Sequence, residues 1–261
     1  MLPKPKKSLG QNFLFDRNII NKIISACDFR AEDIVLEIGS GSGEISKEIA
    51  GRVKRLYAIE IDGRIFCALK SNLREYSAKI TCLNQDILKT RLDKLIEEKG
   101  KIKIFGNIPY YITTAIIEYI IANRYLVDEA FLTVQKEFAQ RVVATHRDKQ
   151  YGSLSCFVQF YTQPKVLFGI SRNCFRPAPK VGSSFLELKV RSHPAVATEN
   201  EERFFRIIRA AFNQRRKTLK NSLKGVVPQE KLDKFFNCYK IDPRIRAERL
   251  SLQDFAHLEK I

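Results

Sequence analysis

The sequence predicts an α/β fold: a mostly parallel, seven-stranded sheet covered by helices, followed by a small all-α C-terminal domain. Three observations lead there. Short β-branched runs alternate with helix-length segments through most of the chain, the pattern of βαβ units. A glycine-rich turn follows the first of these runs, at the edge where such sheets receive ligands. Beyond Ser192–Glu202 the pattern changes to basic, helix-spaced sequence.

Taken in order, the chain opens with a basic arm, Met1–Gly10, that carries Lys4, Lys6 and Lys7 and lacks the apolar stretch of a secretory signal. Ile19, Ile20, Ile23 and Ile24 mark a helix within Asn18–Ala26. Strands are expected at Ile34–Ile38, Leu56–Ile61, Ile80–Leu83, Ile102–Phe105 and Ala130–Val134. Two more are expected at Val166–Ile170 and Phe185–Val190, with Phe175-Arg176-Pro177-Ala178-Pro179 between them as a rigid irregular loop. A boundary near residue 195 divides the chain into domains 1–195 and 196–261. In the second, Phe204, Ile207, Ile208, Ala211 and Phe212 form one stripe, surrounded by Arg206, Arg209, Arg215, Arg216 and Lys217.

The 261 residues carry a formal net charge of +17. A polyanion would account for that excess, because each Lys or Arg set on a phosphate releases a condensed counterion. No run of about 18 apolar residues is present to cross a membrane, and a cytoplasmic, monomeric protein is expected. The six cysteines lie far apart, without a Cys-x-x-Cys pair, so neither a metal site nor a disulfide framework is expected.

The turn Gly39-Ser40-Gly41-Ser42-Gly43-Glu44 lets the backbone approach a ligand where a Cβ would clash. Glu60, about twenty residues on at the end of the next strand, is placed to accept from ribose hydroxyls. Asp86, after the third, can accept from an adenine amine. A dinucleotide fingerprint would want glycine at position 44, where a pyrophosphate meets the helix N-terminus. Here Glu44 would repel it, so the cofactor expected is the phosphate-free S-adenosylmethionine.

The fourth strand delivers Asn107-Ile108-Pro109-Tyr110. The lone pair of adenine N6 is delocalised into the ring, which makes it a poor nucleophile. Acceptors holding its two N–H groups, the Asn107 oxygen and the Ile108 carbonyl, would draw the nitrogen toward tetrahedral geometry. Pro109 fixes that carbonyl, and Tyr110 offers a face to an extracted base. Phe175 could close the other face. None of the three histidines lies beside these motifs, which suits a reaction in which the amine loses its proton after becoming cationic.

These segments resemble the ribosomal RNA adenine N6,N6-dimethyltransferases. Gly39–Gly43, Asn107–Tyr110 and Gln11-Asn12-Phe13-Leu14 carry the likeness. Gln135-Lys136-Glu137, Tyr151–Leu154, Phe175–Val181, Phe212–Asn221 and Arg249–Leu252 extend it through the chain. The last two segments are similar to the KsgA branch, which modifies small-subunit RNA, rather than the Erm macrolide-resistance branch. The resemblance implies a Rossmann-like methyltransferase domain whose N-terminal arm acts as a lid. It implies cofactor contacts from Asn12, Leu14, Gly39, Gly41, Glu60, Asp86 and Asn107. Its expected target is two adjacent adenines in a hairpin loop near the small-subunit RNA 3′ end, with Arg215, Arg216, Lys217 and Lys220 binding RNA. The chain departs from the family at Tyr111, where Asn is common, at Gly182, where Asp is usual, and in reading Pro-Ala-Pro for three prolines. A large-subunit methyltransferase and a non-catalytic assembly factor are the rival readings.

Overall fold

The computed structural model describes residues 6, 9–96, 100–214 and 216–261. In chain order, β1 (Phe13–Leu14) precedes α1 (Arg17–Ala26), β2 (Ile34–Ile38), α2 (Glu44–Ala50), β3 (Arg55–Ile59) and α3 (Gly63–Asn72). Next come β4 (Ile80–Leu83), α4 (Leu92–Leu95), β5 (Ile102–Asn107), α5 (Thr113–Ala122), β6 (Val127–Gln135), α6 (Lys136–Val143) and α7 (Ser153–Tyr161). They are followed by β7 (Thr162–Ile170), β8 (Phe175–Arg176), β9 (Ser183–Val190), α8 (Glu201–Asn213), α9 (Leu219–Ser222), α10 (Gln229–Tyr239) and α11 (Leu252–Lys260).

Seven strands form one sheet in the order β4-β3-β2-β5-β6-β9-β7. The pairs β3–β4, β2–β3, β2–β5 and β5–β6 are parallel, and β9 runs antiparallel to β6. The expected mostly parallel sheet is therefore present. Its order reverses between β2 and β5, and that switch leaves a crevice at the strands' carboxyl ends. All five residues of β2, including Glu37, are buried, as a central strand covered on both faces requires.

Strand lengths differ from expectation where backbone pairing outweighs hydropathy. β5 extends to Asn107 because Gly106 and Asn107 stay paired with Leu132 and Thr133 of β6. β3 stops at Ile59, so Glu60 and Ile61 lie in the turn that follows. The arm contributes an element that hydropathy does not signal: Phe13–Leu14 pairs antiparallel with Phe175–Arg176, out of the loop expected to be irregular.

The chain divides into two compact units, Met1–Ala139 with Lys165–Val190, and Gln140–Pro164 with Arg191–Ile261. In the first, Phe131 stacks on Phe185 at 6.2 Å beneath α1, whose Ile20, Ile23 and Ile24 are buried. Asp16 caps α1 by accepting from the Asn18 and Ile19 amides. The second unit is wider than the expected 196–261, since it includes α7. Phe160 of α7 lies 5.1 Å from both Phe204 and Phe205 of α8, and this aromatic packing draws residues 140–164 into the helical unit. Asn200 caps α8, and a Ser251–Asp254 capping box starts α11.

Candidate active site

A cavity of about 290 Å³ lies in the crevice of the first unit. The carboxyl ends of four parallel strands supply its walls: Gly39 after β2, Glu60 after β3, Asp86 after β4 and Asn107 ending β5. Ile108, Pro109, Tyr110, Asn12 and Phe175 also line it. The structure thus brings together nine of the residues singled out in the sequence. It does not bring in the other two expected cofactor contacts, Leu14 and Gly41. The Leu14 side chain turns into the hydrophobic core, and Gly41 stands outside the lining, where an added Cβ would lie 3.4 Å from the Phe13 ring.

The glycine turn is held from below. The Gly39 and Ser40 amides both donate to the Ile59 carbonyl, at 2.9 and 3.0 Å. Gly39 has φ +74°, a left-handed conformation costly to any residue with a side chain. Gly106 is needed for space: a Cβ there would stand 2.5 Å from the Ile108 side chain and 3.2 Å from the Ile38 carbonyl.

Glu60 is buried and structural as well as available. Its Oε2 accepts from the Gly41 amide at 3.0 Å and its Oε1 from the Asp62 amide at 2.8 Å. Each oxygen keeps a second lone pair for a ligand hydroxyl. Burial raises its pKa, while those two amides pull it back down. Below the turn, Glu37 of β2 accepts from the Ser46 hydroxyl of α2, and burial pushes its carboxyl up to about 7. Asp86 spends one oxygen on the Leu88 amide, at 3.0 Å.

Asn107 is fixed in orientation. Its Nδ2 donates to the Asn12 carbonyl at 2.8 Å. A carbonyl can only accept, so the amide nitrogen must face the arm and the side-chain oxygen is left to accept elsewhere. The arm is tied at two further points: Gln11 donates to Asp62 at 3.3 Å, and the Lys6 ammonium lies 3.7 Å from it. Arg64 pairs with the same carboxylate and holds its pKa well below the usual range.

Tyr110 is half-buried, and its hydroxyl meets the Ser183 hydroxyl at 2.8 Å, which sets the ring at the start of β9. Burial raises the Tyr110 pKa, so the phenol stays neutral. Phe175 is buried, and Tyr111 is 63% exposed. The Tyr111 ring occupies the space beside Gly10, where a Cβ would come within 3.2 Å of it. Gly182 has no such constraint: an added Cβ would meet the Ile170 carbonyl at 3.6 Å.

Sequence reasoning missed part of the wall. Phe13, Ile61 and Leu88 line the cavity, and the last two stand 52% and 38% exposed. Ile61 directly follows Glu60, and hydropathy merges it into the strand; Leu88 stands two residues after Asp86, where the short apolar pair Ile87-Leu88 was the available signal. Ser183 gave no signal, since its role depends on a partner 73 positions away.

The expected RNA contacts lie in the second unit. Arg215 falls outside the described residues. Arg216 and Lys217 are exposed, whereas Lys220 is paired with Asp233 at 3.3 Å. Arg216 also lines a surface cleft with Arg147, Lys149, Arg246 and Arg249, against two acids, Asp148 and Glu248. Among the described residues, no helix is long and apolar enough to cross a membrane and no group of three or more His, Cys, Asp or Glu could hold a metal ion.

Comparison with known proteins bears on this arrangement. A protein of Clostridium botulinum (strain Loch Maree / Type A3) named ribosomal RNA small subunit methyltransferase A is 40% identical over 256 residues, covering 98% of this chain and 93% of that one. A Staphylococcus aureus (strain MRSA252) protein of the same name is 41% identical over 262 residues, covering 97% and 88%. A dimethyladenosine transferase from Plasmodium falciparum superposes with a TM-score of 0.82 at 26% identity, over 94% of this chain and 95% of its own. The family model described as ribosomal RNA adenine dimethylase matches residues 3–261. With the sheet order, the strand-end acids and the Asn107 tetrapeptide all in place, the chain belongs to the ribosomal RNA adenine dimethylase family.

Proposed function

We propose that this chain transfers methyl groups from S-adenosylmethionine to N6 of two adjacent adenosines in a hairpin loop near the 3′ end of small-subunit ribosomal RNA, dimethylating each. The pinned Asn107 amide carries this reading. With its nitrogen committed to the Asn12 carbonyl, its oxygen is pre-oriented to accept an N–H without reorganising when the amine becomes cationic.

The cavity suits the cofactor. Its walls combine two acids, Glu60 and Asp86, with the apolar Ile61 and Leu88, and Gly39 keeps one side open to a close approach. When bound, S-adenosylmethionine supplies a methyl group already activated by its sulfonium. Asn12, Gly39, Glu60, Asp86 and Asn107 would hold it, and the backbone near Leu14 and Gly41 would shape the arm and turn around it.

Asn107 Oδ1 and the Ile108 carbonyl hold the two N–H groups of the target amine and localise its lone pair. Pro109 keeps the Ile108 carbonyl extended. Tyr110 and Phe175 bracket the base, and once the methylated amine is cationic it passes its proton to solvent, so no tuned base is needed. Catalysis on this account is positioning of an in-line transfer. The basic cleft that Arg216 lines, with the exposed Lys217, holds the phosphates of the RNA within an assembling small subunit, and the chain works as a cytoplasmic monomer.

The test is transfer of labelled methyl from S-adenosylmethionine to small subunits that lack the modification. Label is expected in two adjacent adenosines of the small-subunit RNA. Label on large-subunit RNA alone, or none at all, would refute the proposal.

A further inference from the structure

The ladder between the arm and the Phe175–Pro179 loop has a polar consequence at its outer end. Phe13 stands opposite Arg176 and Leu14 opposite Phe175. The Phe15 amide then donates to the Cys174 carbonyl at 3.1 Å, which carries the contact one residue further. On such a ribbon directly opposed residues share a face, and so do alternate residues of one strand. Leu14 and Phe175 fall on one face and enter the core. Phe13, Arg176 and Phe15 fall on the other.

That second face starts at the cavity wall with Phe13 and leads outward. Phe15 is 45% exposed, and the Arg176 guanidinium carbon sits 4.3 Å over its ring. Arg176 is itself exposed, and among the described residues it has no carboxylate partner. An isolated exposed Phe means little. A Phe topped by an uncompensated Arg, beside a cavity that takes a base, is different. The plane of a guanidinium stacks while its edge donates to phosphate, and an aromatic face accepts any base; together these are the means by which single-stranded nucleic acid is held.

We propose that Phe15 and Arg176 form a subsite for the nucleotide next to the target adenine, its base on the Phe15–Arg176 stack and its phosphate on the guanidinium edge. The subsite rests on the function proposed above, because it takes single-stranded RNA to be threaded past the cavity. If the two targets are adjacent, it holds one adenine while its neighbour reacts.

Steady-state transfer to undermethylated small subunits at saturating S-adenosylmethionine tests this. Phe15→Leu and Arg176→Gln should each raise KM for the particle about tenfold, the scale of one base–aromatic stack, with kcat and cofactor affinity unchanged. Phe15→Tyr should restore the unaltered KM, because it returns the π face; a merely structural role would be served by Leu as well. Unaltered KM in Phe15→Leu and Arg176→Gln, or a loss of cofactor affinity equal to the rise in KM, would overturn the subsite. Absence of transfer by the unaltered chain would instead refute the function on which it rests.

Discussion

Removal of the Asn107 side chain separates its observed bond to the arm from the catalytic task proposed for it. Asn107→Ala deletes the 2.8 Å hydrogen bond to the Asn12 carbonyl and, with it, the oxygen proposed to accept from the target amine. The first loss is modest. A neutral hydrogen bond contributes about 1 kcal/mol net, and the stranded, partly buried carbonyl adds on the order of another 1 kcal/mol. Arm docking should therefore weaken by about 2 kcal/mol, and because Gln11 and Lys6 still tie the arm to Asp62, cofactor affinity should fall by no more than the corresponding factor of about thirty. The second loss is larger. A pre-oriented polar group aimed at developing charge is worth roughly 10²–10³ in kcat. Calorimetric titration with S-adenosylmethionine, set beside single-turnover transfer to undermethylated small subunits, measures both. Equal losses in the two assays would refute the reasoning, since Asn107 would then act only through the arm.

Two further outcomes follow from other parts of the molecule. Glu37 holds a proton in the folded state up to about pH 7, whereas its ordinary carboxyl loses it near 4.5, so between these values the native chain binds the extra proton and stability falls as pH rises, by about 3 kcal/mol in all; Glu37→Gln should flatten that part of a denaturation-against-pH profile, and an unchanged slope would show that the carboxyl is not its source. Replacing both Arg216 and Lys217 by Gln should lower the slope of log affinity against log salt by about 1.4 to 1.8, the value for two lost phosphate contacts, while Lys220→Gln, already paired with Asp233, should change it less; equal slopes for all would return these residues to a solvated surface.

Much of the site could be read from residues close in sequence. The glycine turn, Glu60 and Asp86 follow a strand's carboxyl end and Asn107 ends one, and a parallel sheet brings successive strand ends to one edge whatever the details of packing. The position of Glu44 in the first turn of α2 could be judged by charge alone. What stayed hidden depends on distant partners. Two-residue strands such as β1 and β8 have no periodicity to detect, and their pairing joins segments that hydropathy treats as unrelated. Leu14 sits inside a recognisable motif yet turns to the core, because alternation along β1 sends Phe13 to the cavity instead. The affiliation of α7 with the helical unit was equally silent, since Phe160 reads as an ordinary core residue until Phe204 and Phe205 are seen beside it.

The pairing of β1 with β8 also bears on how the protein is made. About 160 residues separate the two halves of that ladder. The arm leaves the ribosome first, yet it has nothing to pair with until Phe175 and Arg176 have followed, near the end of the first unit. At about 5–20 residues per second this delay lasts roughly 10–30 s. The cavity is therefore among the last parts of its unit to close during synthesis, and a nascent chain shorter than about 176 residues can build most of the sheet before the β1–β8 ladder completes the cavity lining.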